Sequence, residues 1–242
     1  MGLTSQSTGA NILDSNFIIN RSSNEDKIIA IAGNPNVGKS TVFNALTGLN
    51  QHTGNWPGKT VTNAQGRYKH RDKNFILVDI PGTYSLMANS VEEEIARDFI
   101  CFGEPDACIV VTDATCLERN LNLVLQTLEI HPNVVVCVNL MDEAKRKKIN
   151  IDLDELSRQL GVAVVGTSAR SGKGLEQLMD AVYEITNKDK AASCLKITYD
   201  KAVEEAIAIL EPSLKNIATG RLNSRWLAVK LLENDESLKK SL

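Results

Sequence analysis

The sequence predicts an α/β fold: a mostly parallel six-stranded sheet with one antiparallel strand, followed by a small all-α domain. Three observations lead to this prediction. Short apolar runs alternate with amphipathic stretches from Lys27 to about Thr186, and strands that alternate with helices form a sheet covered on both faces. A glycine-rich segment at residues 33–40 lies between the first strand and the first helix. After Thr186 the alternation stops and helical spacing continues alone.

The elements follow in order along the chain. Strands are predicted at residues 27–32, 60–70, 75–80, 107–113, 133–139 and 162–166. Helices are predicted at residues 39–47, 91–102, 117–130, 152–160 and 175–185. A short turn separates the second strand from the third, so these two are expected to pair as an antiparallel hairpin, which leaves one antiparallel strand in the sheet.

Three parts of the chain are distinguished by composition. Residues 1–26 are rich in Ser, Asn and Thr and are predicted to form a flexible arm. Residues 27–187 form the α/β domain, and residues 194–242 form the helical domain after a polar linker. Within the helical domain, Pro212 is predicted to break the first helix, and Trp226 is predicted to anchor the core of a second. The helical spacing rests on Val203, Ile207, Leu210 and Leu214.

Composition excludes several functions. The formal net charge is -3, and a protein that binds nucleic acid normally carries a basic face. The five cysteines form no CxxC pair, which argues against a zinc site or a disulfide framework; Cys108 and Cys137 lie in apolar runs and are interpreted as buried apolar residues. The apolar runs are much shorter than the ~20 residues that a membrane-spanning helix needs.

Residues 33–40, GNPNVGKS, match the phosphate-loop pattern GxxxxGK[ST]. The glycines let the backbone wrap closely, so that its N–H groups face the phosphates. Lys39 can then reach the β- and γ-phosphates, the Ser40 hydroxyl can bind Mg²⁺, and the helix that follows adds its positive N-terminal end. The predicted nucleotide contacts here are Gly33, Asn34, Pro35, Asn36, Val37, Gly38, Lys39, Ser40 and Thr41.

Asp79 and Gly82 belong to a DIPG motif that ends a buried strand. An Asp at this position can hold the water shell of the metal, and Gly82 can offer a backbone N–H to the γ-phosphate. DxxG is a weak signal alone, but its distance from the phosphate loop makes it specific. Both residues are therefore predicted to contact the nucleotide or its metal.

The motif NLMD at residues 139–142 indicates which base is bound. A carboxylate at Asp142 can accept from both N1–H and the exocyclic amino group of guanine, whereas adenine has neither donor there. The segment TSA at residues 167–169 can present a backbone N–H to the guanine carbonyl oxygen. The predicted base contacts are Asn139, Met141, Asp142, Thr167, Ser168 and Ala169. Together the motifs predict a P-loop GTPase fold that hydrolyses GTP to GDP with Mg²⁺.

The details of these motifs resemble the GTPase domain of the bacterial FeoB ferrous-iron transport family. The resemblance lies in the phosphate loop, in the first switch at residues 54–61, in the second switch at residues 79–86, and in the segment 113–121. Residues 225–233 resemble the helical domain of the same family. The sequence departs from the family pattern at Lys59, where an apolar residue is usual, at Thr62 and Asn63, and at Cys116.

The resemblance also implies individual roles. Thr60 would be a second Mg²⁺ ligand in the GTP state and would release the ion after hydrolysis. Thr83 occupies the position of the water-orienting glutamine of Ras-like GTPases, so another stabiliser is expected, and Asn36 would help to bind K⁺ beside the phosphates. The expected catalytic residues are Lys39, Asn36, Thr60 and Gly82. The expected metal ligands are Ser40, Thr60 and, through water, Asp79 for Mg²⁺, and Asn36 for K⁺.

As a whole, the resemblance implies a GTP-hydrolysing regulatory domain of a ferrous-iron (Fe²⁺) transporter at the cytoplasmic face of the bacterial inner membrane. The expected partners are GTP, GDP and the membrane-embedded remainder of the transporter. Self-association is left open, no nucleic acid is expected, and the helical domain is expected to continue beyond Leu242. The alternative is an RNA- or ribosome-associated GTPase of the Era or tRNA-modification type, which shares the potassium-binding asparagine. The negative net charge and the resemblance to the FeoB helical domain after Asn187 argue against that alternative.

Overall fold

The computed structural model describes residues 19, 21, 23, 25–48, 51–56, 59–187, 195–217 and 223–234. Several predicted segments lie outside the described residues: most of the N-terminal arm, residues 188–193 of the linker predicted at 187–193, Pro57 and Gly58 in the first switch, and residues 235–242.

Seven strands form one sheet in the order β2-β3-β4-β1-β5-β6-β7. Only β3 runs against the direction of the other described strands, because it pairs antiparallel with both β2 and β4 while the remaining pairs are parallel. This confirms the predicted fold class. The strands are β1 (Lys27–Gly33), β2 (Gln51–Asn55), β3 (Thr62–His70), β4 (Lys73–Asp79), β5 (Ala107–Asp113), β6 (Val134–Asn139) and β7 (Ala163–Gly166).

The predicted count of six strands is wrong, because β2 was not foreseen. Its sequence, QHTGN, is polar and largely exposed, so it shows no alternation of apolar and polar residues. As an edge strand, β2 is held by backbone hydrogen bonds to β3. Backbone pairing does not require particular side chains, so the sequence shows no strand pattern.

The helices lie close to their predicted positions, with one addition and one correction. The short helix α4 was not predicted. Pro212 lies inside α7, so the predicted break is wrong; Ile207 and Leu214, one on each side of it, are both buried in the same core, and this packing outweighs one lost backbone hydrogen bond. The helices are α1 (Lys39–Thr47), α2 (Val91–Phe102), α3 (Leu117–Ile130), α4 (Met141–Arg146), α5 (Leu153–Leu160), α6 (Leu175–Thr186), α7 (Lys201–Ile217) and α8 (Ser224–Leu232).

The sheet separates two apolar layers. In β1, Ile28 and Ala30 face the layer that includes residues of α2, α3, α7 and α8. Ile29 and Ile31 face the opposite layer, with residues of α1 and α6, as the period of two along a strand requires. Trp226 of α8 is buried in the first layer, which confirms that it anchors a core. The helical unit therefore packs on the same side of the sheet as α2 and α3.

The described part of the chain contains no helix that combines the length and the apolar composition needed to cross a membrane. Within the same residues, no three His, Cys, Asp or Glu side chains come together in a way that could hold a metal ion. Cys108 and Cys137 are buried, as predicted; Cys101 is also buried, and Cys116 is exposed.

Candidate nucleotide-binding site

The phosphate loop connects the end of β1 to the start of α1 and depends on two glycines. A Cβ at Gly33 would lie 2.7 Å from the Val111 carbonyl oxygen. Gly38 has a φ of 84°, and a Cβ there would collide with the side-chain nitrogen of Asn139. Asn36 also has a positive φ, 66°, which Asn tolerates better than most residues. The loop therefore makes the tight reversal that exposes backbone N–H groups.

Lys39 and Asp79 form an ion pair at the centre of the site. Their side chains are 11% and 15% exposed, and burial raises the pKa of Asp79, while Lys39 and a hydrogen bond from Ser40 partly offset this rise. Asp79, the last residue of β4, is thus in direct contact with Lys39 and Ser40, the first two residues of α1. A triphosphate would offer Lys39 a stronger anionic partner than one carboxylate.

The segment that follows Asp79 is attached to the phosphate loop through the backbone. The N–H of Ile80 donates to the Ile31 carbonyl over 3.2 Å, and the N–H of Thr83 donates to the Gly33 carbonyl over 3.2 Å. A Cβ built on Gly82 would lie 3.5 Å from the Cα of Pro35. Gly82 is therefore adjacent to the loop, where a backbone N–H can reach a terminal phosphate.

Asn139 joins the phosphate loop to the loop predicted to hold the base. Its side-chain nitrogen donates to the Val37 carbonyl over 3.0 Å. Its side-chain oxygen accepts from the Thr167 hydroxyl and from the N–H of Ala169, each over 3.1 Å. Asn139 is 1% exposed, so one buried amide connects the Val37 carbonyl, the Thr167 hydroxyl and the Ala169 N–H. The sequence assigned Asn139 to base recognition; its contact with Val37 was missed, because no spacing rule connects two residues so far apart.

Asp142 lies in the first turn of α4, with an exposed side chain. Its backbone N–H donates to the Ser168 hydroxyl over 3.2 Å, and the N–H of Met141 donates to the Thr167 carbonyl over 3.1 Å. One carboxylate oxygen is 4.0 Å from Arg146, and the side chain remains 54% exposed. The backbone of Asp142 is thus fixed by the second base loop, while its carboxylate is accessible to a ligand.

Most of the predicted contact residues meet at one edge of the sheet. The phosphate loop, Asp79 and Gly82 form its phosphate end, and Asn139, Met141, Asp142 and the segment 167–169 form its base end. Thr41 is exposed in the first turn of α1, and Asn34 is buried with no hydrogen-bond partner for its amide among the described residues. Thr60 is exposed on the loop between β2 and β3, and none of the hydrogen bonds among the described residues joins it to Ser40 or Asp79.

The oxygen groups of this site suit the expected cations. Ser40 and Asp79, which are in contact, supply a hydroxyl and a carboxylate, the hard ligands that Mg²⁺ prefers. The exposed Asn36 supplies an amide oxygen beside the phosphate loop, as a site for a monovalent cation requires. The residues present therefore fit Mg²⁺ and are compatible with K⁺.

Two family models match the chain. One, for ferrous iron transport protein B, matches residues 27–182, and one, for the FeoB cytosolic helical domain, matches residues 199–242. Among the curated relatives, the Fe(2+) transporter FeoB of Methanocaldococcus jannaschii is 46% identical over 209 residues, which is 86% of this chain and 31% of that protein. A fusion of Fe(2+) transport protein A with the Fe(2+) transporter FeoB, from Porphyromonas gingivalis, is 37% identical over 87% of this chain and 25% of its own length.

Solved structures agree with these matches. The cytosolic domain of the T. maritima FeoB iron transporter superposes with a TM-score of 0.82 in its GMPPNP form and in a GDP form, at 38% identity over 89% of this chain and 84% of the matched chain. The present chain spans between a quarter and a third of the length of the two curated relatives described above. Since the family model covers most of the α/β domain and the helical model follows it, the chain belongs to the FeoB family of ferrous iron transport proteins.

Proposed function

We propose that this chain binds and hydrolyses GTP and regulates a ferrous-iron transporter of which it is a part. The observation that carries the proposal is the connected site: Lys39, Ser40 and Asp79 at one end, Asp142 at the other, and Asn139 bonded to both loops. The cytosolic domain of the T. maritima FeoB iron transporter was crystallised in a GDP form and in a GMPPNP form, which supports guanine-nucleotide binding by this chain.

In the proposed reaction, water attacks the γ-phosphorus, the bond to the β-phosphate oxygen breaks, and GDP and inorganic phosphate are released. Lys39, the loop N–H groups and the N-terminus of α1 hold the phosphates, and the N–H of Gly82 contacts the γ-phosphate. Ser40, Thr60 and, through water, Asp79 would hold Mg²⁺, which when bound neutralises charge on the β- and γ-phosphate oxygens. The Thr83 hydroxyl donates to the Ser85 carbonyl over 2.8 Å, so it is engaged within its own turn.

Replacing Thr60 with Ala should reduce GTP turnover strongly and spare GDP affinity, because Thr60 is proposed to ligate the metal only in the triphosphate state. The measurement is steady-state phosphate release together with titration of a fluorescent GDP analogue. Thr62→Ala, a change of the same size two residues along the chain, is the control and should leave both quantities near wild type. A collapse of GDP binding in Thr60→Ala would make Thr60 a structural residue.

Potassium should accelerate hydrolysis by about 10–100-fold, because no glutamine occupies position 83 and charge on the transferring phosphate needs another stabiliser. Arginine fingers supply about 10³–10⁵ in rate, and an exchangeable ion held in part by the Asn36 amide oxygen should supply less. Na⁺ is smaller and should substitute poorly. The measurement is turnover in KCl and in NaCl at equal ionic strength, for the wild type and for Asn36→Ala.

Equal rates in the two salts would contradict any role for potassium. A potassium effect that persists in Asn36→Ala would keep the ion but remove Asn36 from its site.

The transport role belongs to the longer protein. We propose that residues 27–187 form the GTPase domain, that residues 194–242 belong to the helical domain, and that the chain faces the cytoplasm at the bacterial inner membrane. The Lys230 ammonium contacts the Met87 sulfur at 3.5 Å; because Met87 follows the second switch, this contact supports a link between the nucleotide and the helical domain. The test is Fe²⁺ uptake by cells that carry the full-length protein, which should stop when Lys39→Ala removes GTP binding; unchanged uptake would contradict the regulatory role.

A further inference from the structure

Thr60 lies at the tip of the hairpin between β2 and β3, of which Trp56 and residues 59–61 are described. Asn55 pairs with Thr62 at the end of the two strands. The N–H of Trp56 donates to the Val61 carbonyl over 2.9 Å, and the N–H of Lys59 donates to the Trp56 carbonyl over 3.0 Å. The position of the tip therefore determines the position of Thr60.

The first attachment of the tip is Trp56. Its side chain is 2% exposed and belongs to the core layer that includes α2. The ring meets Phe99 of α2 edge to face, with the centroids 5.4 Å apart. An aromatic side chain buries ~150–250 Å², so withdrawing Trp56 would expose much apolar surface. Trp56 is therefore an attachment that is costly to release.

The second attachment is an ion pair between Lys59 and Glu94 of α2, at 2.9 Å. The two side chains are 38% and 34% exposed, and an ion pair of this exposure is weak and readily opened. Lys59 also acts electrostatically on Asp98, one turn further along α2, whose pKa is raised chiefly by burial.

We propose that Lys59 and Glu94 are positioning residues for Thr60: their ion pair holds the tip on α2, and it opens when Thr60 turns to the triphosphate. The ion pair of Lys59 and the ring contact of Trp56 join the tip to α2, and the backbone hydrogen bonds join residues within the tip. The Thr60 side chain is exposed. The inference rests on the proposed role of Thr60 in the GTP state. The triphosphate is proposed to require a tip released from α2, so its apparent affinity is reduced by the fraction of molecules in which the tip is released. GDP does not require Thr60, so its affinity does not depend on this fraction.

The test compares the affinities for GMPPNP with Mg²⁺ and for GDP in Lys59→Val, which introduces an apolar residue. Since an exposed pair is worth about 0.2–1 kcal/mol, GMPPNP affinity should rise roughly 1.5–5-fold by the same relation, and GDP affinity should not change. Lys59 is altered first, because after loss of Glu94 it could pair with Asp98. The charge swap Lys59→Glu with Glu94→Lys should return the GMPPNP affinity to the wild-type value.

Lys27→Val is the matched control. Lys27 forms an ion pair with Asp106, also at 2.9 Å, with side chains 31% and 26% exposed. This pair lies at the amino-terminal edge of β1, opposite the phosphate loop. Its loss should leave the ratio of GMPPNP to GDP affinity unchanged.

The inference would be overturned by an equal change in the GMPPNP and GDP affinities of Lys59→Val, by no change in either affinity, or by a charge swap that does not restore the wild-type ratio. In a Thr60→Ala background, Lys59→Val should also have no effect on GMPPNP affinity, because the released tip then has no Thr60 hydroxyl to bind Mg²⁺. If Thr60→Ala alone left turnover intact, the proposed role of Thr60 would fail. If Thr60→Ala acted as expected but Lys59→Val had no effect, only the inference about the ion pair would fail.

Discussion

Replacing Asp142 with Asn is expected to lower GTP affinity by roughly 10²–10³-fold, because two hydrogen bonds to a charged group, together about 3–4 kcal/mol, are lost. The Asp142 carboxylate is 54% exposed, so it is accessible to the guanine N1–H and amino group. The Asn side chain offers an N–H that matches the second carbonyl of xanthine. Affinity for xanthosine triphosphate should therefore rise in the same variant.

The measurement is titration of both triphosphates into the wild type, Asp142→Asn and Glu143→Gln. Glu143 is the matched control: it is the next carboxylate on α4, and it is bound to Arg146 at 2.5 Å. Glu143→Gln removes the same charge from the same helix and should preserve the preference for GTP. Unchanged base preference in Asp142→Asn would remove Asp142 from base recognition.

Replacing Asn139 with Ala is expected to destabilise the fold and to weaken binding of both GDP and GTP. The change leaves the Val37 carbonyl and the Ala169 N–H without the partner that Asn139 supplies, while the Thr167 hydroxyl keeps its contact with the Cys137 sulfur. Each unsatisfied buried group costs about 1–3 kcal/mol, so we expect a total loss of about 2–4 kcal/mol. For a chain of this size, that corresponds to a fall in melting temperature of roughly 4–16 °C.

Asn133→Ala provides the comparison for this variant. Asn133 precedes the same strand, β6, at its amino-terminal end, and its side chain makes one hydrogen bond, to the Asp106 carbonyl, at 3.0 Å. Its loss should cost less stability and should leave nucleotide affinity unaltered. Nucleotide affinity that falls equally in both variants would indicate a general loss of structure, and wild-type GDP affinity in Asn139→Ala would show that the two loops need no connection.

Much of the fold and of the site depends on short sequence motifs, and these could be recognised in the sequence. The carboxyl ends of parallel strands meet at one edge, so Asp79 and Asn139 could be placed beside the phosphate loop from strand order alone. The spacing GxxxxGK[ST] fixes Lys39 and Ser40 relative to the glycines. These positions depend on backbone geometry, which short motifs encode.

The features that were missed depend on distant or polar contacts. The edge strand β2 is held by backbone hydrogen bonds, and the bond from Asn139 to Val37 joins two loops that only the folded chain brings together. The Lys59–Glu94 pair likewise needs the hairpin tip to fold onto α2. The predicted break at Pro212 took account only of the hydrogen bond that proline removes. Burial of residues on both sides of Pro212 keeps the helix continuous.

The most direct test of the proposed function is phosphate release by the purified chain, supplied with Mg²⁺ and K⁺ and with GTP or ATP at equal concentration. We expect catalytic release of phosphate from GTP, release from ATP at the background rate, and loss of the GTP reaction in Lys39→Ala. The Lys39 result separates this site from a contaminating phosphatase. Equal rates with GTP and ATP, or a GTP reaction that survives in Lys39→Ala, would contradict the conclusion that this site is a GTPase centre.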